Sequence, residues 1–475
     1  MPARRPFLAA ALLTAAALAA PPTEDAARTD APRAGGDTTL VIPRAQMSDR
    51  GAFSRPAPNL SLTRRGDHFA GNSFFQNAWV TAPASVAARD GLGPLFNTMS
   101  CQSCHVRDGR GRPPHPGEAM TSMLVRLSVP GDDSEADARQ RTRGGVVPHP
   151  DYGGQLQSGA IAGVQPEARV VTLWTEHSGQ YADGTPFRLR SPRYVLEQAA
   201  YGPPGDDLLL SGRVAPALPG VGLLDAIDVA DLRALADPDD GNGDGISGRL
   251  NQVWDVTLQA SAPGRFGWKA EQPNVRQQVA GAFQGDIGIT SSLFPEDTLT
   301  ASQRELVRAP HGGRPEVSDE ILELVTFYCK TLAVPARRGH DDPLVQRGEA
   351  LFSELGCSAC HVDTFVTGDD PGFPELSGQT IHPYTDLLLH DMGPGLADDR
   401  PVFAASGREW RTPPLWGLGL LYLVNRHTDL LHDGRARDHA EAILWHGGEA
   451  QASRDRFVAL DAADRRALVV FLKSL

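Results

Sequence analysis

The stretch "PLVQRGEALFSELGCSACH", residues 343–361, decides how the C-terminal part of the chain is interpreted. Its leucines recur at helical spacing, which predicts an amphipathic helix, and Gly356 ends that helix just before the two cysteines. A second CxxCH sequence, "CQSCH", occupies residues 101–105. The chain therefore carries the same five-residue pattern twice, and the rest of the sequence has to be explained around that duplication.

Four of the five cysteines belong to these two motifs, and three explanations compete. A zinc site or a redox dithiol uses paired cysteines but needs no histidine directly after each pair. Covalent c-type haem uses every residue, because two thiols form thioethers and the adjacent histidine binds iron. The thioether cysteines would be Cys101, Cys104, Cys357 and Cys360. The iron ligands would be His105 and His361, so we predict two covalently bound c-type haems.

The flanking sequences favour a helical fold. Asp461 is predicted to cap a helix at the end of the chain. We expect that helix to pack across the helix that precedes the second motif, an arrangement typical of cytochromes c. We predict a mainly α protein with two cytochrome c-like haem domains, 61–335 and 336–475, the first enlarged by long loops and short β insertions. Pro335 ends the predicted helix that carries the fifth cysteine, Cys329, which we interpret as a buried core thiol.

The N-terminus predicts export. Arg4 and Arg5 precede the apolar run "FLAAALLTAAALAA", so residues 1–20 are predicted to be a cleaved signal peptide, with a retained anchor as the alternative. Residues 21–60 are polar and rich in proline, and we expect them to be poorly ordered. The formal net charge of −13 argues against nucleic acid or an anionic membrane as the main partner. We expect a periplasmic protein without a membrane span.

The loop "DDGNGDGISGRLN", 239–251, resembles the first half of a calcium loop. Asp240, Asn242 and Asp244 place oxygen atoms at every second residue. However, the twelfth residue counted from Asp240 is Asn251, where a calcium loop has a bidentate glutamate. A turn stabilised by its own side chains explains the same residues, so calcium and a plain turn remain equal alternatives.

Several separate blocks along residues 60–475 resemble the bacterial dihaem oxidoreductases, a family grouped with peroxidases and also labelled thiol oxidoreductases. The family is similar, more distantly, to dihaem cytochrome c peroxidases. The blocks are "GLGPLFNTMSCQSCHVRDGRG", "GRFGWKAEQPNVRQQVAGAFQGDIGITSSLFP", "DLLLHDMGPGLADD", "EWRTPPLWGLG" and "LLHDGRARDHAEAILWHGGEA".

This resemblance implies specific roles. In the relatives one haem is six-coordinate and accepts electrons, while the other has an open distal side where peroxide is reduced. The second haem's distal ligand lies 14 residues after the histidine of the HDG block, which is His446 here; Met392 is the rival ligand. Trp268 matches a tryptophan between the haems. Gln278 and Asp286 match a distal glutamine and carboxylate, which would move the proton that peroxide cleavage needs.

Other residues stay open at this stage. Asn251 coincides with a calcium-binding asparagine of the relatives. The resemblance gives His115, Met120 and Met123 no ligand position, so we expect the first iron to be open or loosely ligated. Two further histidines precede His446 at seven-residue steps. We interpret His432 as either structural or catalytic, and His439 as a solvated or packing residue.

The predicted function is that of an exported dihaem oxidoreductase of peroxidase type. A small redox protein or another donor would supply electrons, and peroxide or another small oxidant would accept them. Two alternatives remain, namely a dihaem electron carrier without enzymatic activity and a haem enzyme that oxidises a protein or an organic substrate.

Overall fold

The computed structural model describes residues 33–41 and 50–475. The predicted signal peptide lies outside the described residues, as does much of the segment 21–60. Two parts of that segment are described. Strand β1 (Thr39–Leu40) pairs in parallel with β10 (Val334–Pro335), and the side chains of Phe53, Ala57 and Leu60 are buried.

The described residues form a mixed α/β structure with 32% helix and 18% strand. The α-helices are α1 Leu62–Gln76, α2 Cys101–Cys104, α3 Glu135–Gly144, α4 Val221–Asp225, α5 Val229–Leu235, α6 Val275–Ala282, α7 Asp319–Lys330, α8 Pro343–Glu354, α9 Leu421–Asn425, α10 His439–Leu444, α11 Gln451–Ala459 and α12 Ala462–Ser474. The other strands are β2 Leu95–Phe96, β3 Met123–Ser128, β4 Gly159–Ala160, β5 Arg169–Gln180, β6 Pro186–Glu197, β7 Leu209–Val214, β8 Gln252–Asp255, β9 Ala260–Pro263, β11 Phe365–Val366, β12 Thr380–Ile381, β13 Leu389–Asp391 and β14 Glu409–Arg411.

The prediction of a mainly α fold was therefore wrong, and two cytochrome c-like domains are not shown. The strands form separate two-stranded sheets, and the longest pairs all twelve residues of β5 with β6. The CxxCH flanks are helical, but they carry no information about the long insertion between the motifs. Alternating residues such as those of "RVVTLWT" favour extended chain, and here they form full-length strands rather than short ones.

The β5–β6 hairpin reaches from this insertion to the C-terminal helices. At its tip Arg465 of α12 forms an ion pair with Asp183 at 2.6 Å. Next to that contact, the ring of Tyr181 packs against Phe457 of α11. The largest apolar cluster likewise contains residues from both sides of position 335, for example Tyr328 and Trp416. The domain boundary near that position stays a prediction.

Each CxxCH motif lies beside a pair of crossing helices. In the C-terminal pair, α8 and α12, Gly348 meets the carbonyl of Ala467 so closely that a Cβ atom would lie 2.1 Å from the oxygen. Four residues after the glycine, Phe352 packs against Phe471 of α12 and against the ring of His361. The packing of these two helices agrees with the sequence prediction.

The N-terminal pair, α1 and α7, repeats this arrangement. A Cβ atom on Gly71 would lie 2.0 Å from the carbonyl oxygen of Leu324. Four residues later, Phe75 packs against Tyr328 of α7 and against the ring of His105. This helix pair could not be identified from the sequence, because residues 77–100 separate α1 from its motif. Only two residues separate α8 from its own motif.

In the two described segments, no helix is both long enough and apolar enough to cross a membrane.

Candidate functional site

The first CxxCH motif forms one wall of a large cavity. Cys101 and Cys104 begin and end the short helix α2, and His105 follows it. The Nδ1 atom of His105 donates to the carbonyl of Pro216 at 2.8 Å, which leaves Nε2 as the atom free to bind a metal. Burial lowers the pKa of His105 to about 4, so the imidazole is neutral, as a metal ligand must be.

The second motif lines another cavity in the same way. Cys357, Cys360 and His361 face it, and His361 Nδ1 donates to the carbonyl of Tyr384 at 2.9 Å. Burial lowers the pKa of His361 to about 4, and the neighbouring ring of His446 contributes to that shift. The two cavities therefore present the same set of groups, namely two thiols and a neutral imidazole whose orientation is fixed by a backbone carbonyl.

His446 lines the same cavity as His361. It follows the last turn of α10, which begins after the cap Asp438, whose carboxylate accepts from the N–H of Glu441. His446 Nδ1 donates to the carbonyl of Ala442 at 2.7 Å, so this ring too keeps Nε2 for a metal. The structure thus places the sequence-predicted ligand where it shares a cavity with His361.

Met392 also lines this cavity, so both rival ligands reach it. The adjacent candidate, His390, is engaged elsewhere. Its Nε2 lies 2.8 Å from an Asp386 oxygen, and its Nδ1 lies 2.7 Å from a Glu449 oxygen. Burial opposes the charged form of His390, but the two carboxylates outweigh it and raise the pKa to about 12. Both of its nitrogens are thus paired with carboxylates, and neither is free to bind iron.

The other two histidines of the 432–446 segment are also buried in the wall of the second cavity. His432 stacks on Trp410 with ring centroids 3.6 Å apart, and its Nε2 lies 3.4 Å from an Asp433 oxygen. His439 is only 3% exposed, and neither of its ring nitrogens has a hydrogen-bond partner. The interpretation of His439 as a solvated residue does not agree with this burial.

Trp268 lies between the two cavities and lines both of them. Its Nε1 donates to the carbonyl of Val214 at 2.8 Å, and the guanidinium of Arg110 lies 5.0 Å from its ring centroid. Arg110 and Arg411 line both cavities as well. A buried aromatic ring therefore separates the two candidate centres, as the family resemblance implies.

Gln278 and Asp286, the predicted distal residues, both line the cavity of His105. Asp286 lies on a π-helical turn, Phe283–Ile287, that continues α6 and turns this carboxylate toward the cavity wall. Its Oδ1 accepts from the side chain of Gln155 at 2.7 Å. Burial raises the pKa of Asp286, an effect that the charge of Arg126 opposes.

Sequence reasoning missed several residues of this cavity, and they lie on elements far from the motif. Arg126 on β3 lines it, and the Nε atom of that guanidinium is buried without a partner. Glu271 also lines it and forms an ion pair with Arg213. Of the three residues to which the sequence gave no ligand position, Met123 at the start of β3 lines the cavity, whereas His115 and Met120 do not. The only sequence signal was that Glu271 lies within the block that contains Trp268.

The calcium-like loop forms internal turns. Asp240 accepts from the N–H of Gly245, and Asn242 Oδ1 accepts from the N–H of Asp244. Asn251 is fully buried, and its amide donates to the carbonyl of Lys269 while its Oδ1 accepts from the N–H of Ala404. The hydrogen bonds of these side chains are those of a turn and of a packed core.

The residues that line the two cavities can be compared with what a zinc site and a haem site require. A single zinc site built from all four motif cysteines does not fit, since the two CxxC pairs line different cavities. Burial raises the pKa of Cys104 and Cys357 to about 12, so both thiols are neutral. Neutral thiols, an oriented imidazole and walls rich in apolar side chains do fit a haem in each cavity.

Each of the two cavities can accommodate one haem. A family model described as "Di-haem oxidoreductase, putative peroxidase" matches residues 28–475. The chain belongs to this family, which confirms the resemblance inferred from the sequence and implies two haems. No curated protein and no solved structure shows significant similarity to the chain.

Proposed function

We propose that this protein is an exported peroxidase in which the second centre receives electrons and the first reduces peroxide. The observation that carries the proposal is Trp268, which lies between two cavities that each contain a CxxCH motif. The oxidoreductase family is established by the family match. The electron route, the ligands and the substrate are the parts that we add.

In this proposal the four motif cysteines attach two haems as thioethers, and His105 and His361 bind the irons from one side. Haem iron, once bound, supplies reversible one-electron transfer and a site for peroxide. At the second centre His446 would be the second histidine ligand, since its Nε2 is free and the residue lines the cavity of His361. A haem held by two histidines would suit electron uptake rather than binding of an oxidant.

At the first centre Asp286 and Gln278 would serve the distal side. Peroxide cleavage needs a proton moved from one oxygen to the other, and a buried carboxyl with a raised pKa can accept and return it. Gln155 fixes the orientation of this carboxyl through its hydrogen bond to Oδ1. Arg126, whose Nε atom has no partner, adds positive charge to the same cavity.

Trp268 would carry electrons between the centres. Burial on both sides protects the ring from water, and the hydrogen bond from Nε1 to Val214 fixes its plane. The electron donor would be a small redox protein or another reductant that meets the protein in the periplasm. The predicted signal peptide is the sequence feature that supports this location.

A second candidate function is that of an electron carrier without enzymatic activity, and Met123 is the observation that favours it. Its side chain lines the cavity of His105 and is 3% exposed. Thioether sulfur is a common haem ligand. If Met123 binds the first iron in every state, no position remains for peroxide.

Electron paramagnetic resonance of the holoprotein, combined with peroxide turnover, tests the proposal. We expect one low-spin and one high-spin signal, peroxide consumption with a reduced donor, and a large loss of turnover in Asp286→Asn. Removal of a general acid–base group typically costs about 10²–10⁴-fold in rate. Two low-spin signals without turnover, together with a new high-spin signal in Met123→Leu, would instead establish the carrier.

A further inference from the structure

His439 presents an unsatisfied hydrogen-bonding group to the second cavity. The residue is 3% exposed, it lines the cavity of His361, and both ring nitrogens are buried without a partner. A buried polar group left unpaired loses the hydrogen bonds that it makes with water in the unfolded chain, so such groups in native proteins normally have a partner. The molecule that fills the cavity is therefore expected to supply one.

His439 differs from the three histidines assigned to the irons. In His105, His361 and His446 the Nδ1 atom donates to a backbone carbonyl, and this contact orients Nε2 toward the cavity. His439 has no such contact. It begins α10, so seven residues and about 10 Å along the helix axis separate it from His446. One iron cannot bind both rings at that separation.

The cavity wall offers His439 no hydrogen-bond acceptor, because neither ring nitrogen finds one among the described residues. Apart from the iron, the polar groups of a haem are its two propionate carboxylates. A carboxylate is the acceptor that an imidazole N–H pairs with most strongly.

We propose that His439 donates a hydrogen bond to a propionate of the haem bound at His361, and so positions that haem and raises its reduction potential. The inference rests on the proposed function, since it requires a haem in this cavity. The potential rises because the donor offsets part of the propionate's negative charge, which otherwise stabilises the oxidised iron. His439 is thus a positioning residue and not an iron ligand.

The test compares His439→Leu and His439→Gln in the holoprotein. The control is His311→Leu, because His311 is exposed and lies outside both cavities. Leucine fills the space without a donor, whereas glutamine keeps an N–H. A redox titration should show a lower midpoint potential for the low-spin haem in His439→Leu. The potential in His439→Gln should lie close to that of wild type, and the control should not shift. The low-spin resonance should persist in all three variants.

Two results would overturn the proposal. Loss of the low-spin signal in His439→Leu would make His439 the ligand, and an unchanged potential in that variant would reduce His439 to a packing residue. If His439→Leu does not fold, His439→Gln is compared with wild type alone. A midpoint potential that differs from wild type by more than that of the control would then also contradict the donor role. Failure of the proposed function is distinguishable, because the wild type would then lack a second haem or its low-spin signal.

Discussion

Substitution of Gly71 by alanine tests whether α1 and α7 cross as closely as described beside the first centre. The added Cβ would lie 2.0 Å from the Leu324 carbonyl oxygen and 2.9 Å from Tyr328 Cβ. Contacts below 3.0 Å are essentially never seen, so the helices would have to separate by about 1 Å in a close-packed core. Gly66, in the same helix, has no atom within 4 Å of its Cβ position and provides a matched control.

The magnitude follows from two opposing effects. Alanine in place of glycine stabilises a helix by about 1 kcal/mol, which is the expected gain for Gly66→Ala. Overpacking costs about 1–3 kcal/mol, and a rigid carbonyl as the clashing group places Gly71→Ala at the upper end of that range. We therefore expect a difference of about 3 kcal/mol between the two variants, with Gly71→Ala the less stable.

Urea unfolding of the holoprotein measures this difference. Far-ultraviolet circular dichroism reports the helices, and the Soret band reports the surroundings of the haem. In Gly71→Ala the Soret change should begin at lower urea than in wild type, because Phe75, one turn from the substitution, packs against His105. Equal stability of the two alanine variants would refute the close crossing of α1 and α7 beside the first centre.

Three further predictions follow from buried groups. His446→Ala should convert the low-spin resonance of the second centre to high-spin while Met392→Leu leaves it intact, and the reverse result would make the methionine the ligand. Lys269→Met should destabilise the protein in thermal or chemical denaturation, because it removes the 2.8 Å partner of the buried Asp398 carboxylate. The loss should stay below the roughly 3–5 kcal/mol of a fully unpaired buried charge, since Arg213 remains 3.8 Å away. An unchanged midpoint would contradict this prediction. Burial lowers the pKa of His68 to about 4. Between pH 6.5 and pH 4 the unfolded chain therefore binds more protons at this residue than the folded chain does. The stability that is present above pH 6.5 is lost as the pH falls toward 4, by at most about 3 kcal/mol for this group. His68→Gln should flatten that dependence, and an equal slope would contradict the assignment.

The sequence identified the parts of the site that local patterns specify. A CxxCH motif requires only five adjacent residues, so both motifs and their histidines were found directly. His446 was found through the family's spacing from the HDG block, and the structure places it in the cavity of His361. Trp268 was found through its block and lies between the cavities.

Residues that reach the site through tertiary contacts could not be found in this way. Arg126 lies on β3, whose pairing with β7 joins segments that are distant in sequence. The sequence left His439 as either a solvated or a packing residue, and the tertiary packing of α10, which buries it, decides between the two. The helical content was overestimated for a different reason, because the insertion between the motifs contains a hairpin of twelve-residue strands, β5–β6, for which we had expected only short strands.

The intact mass of the protein, expressed with a haem-attachment system and measured after denaturation, tests the central claim most directly. We expect the mass of the wild type, after removal of any signal peptide, to exceed that of the polypeptide by two haems. The double variant Cys101→Ser, Cys104→Ser should carry one haem, and so should Cys357→Ser, Cys360→Ser. Retention of both haems in either double variant, or a wild-type mass without covalent haem, would contradict the assignment of the two cavities.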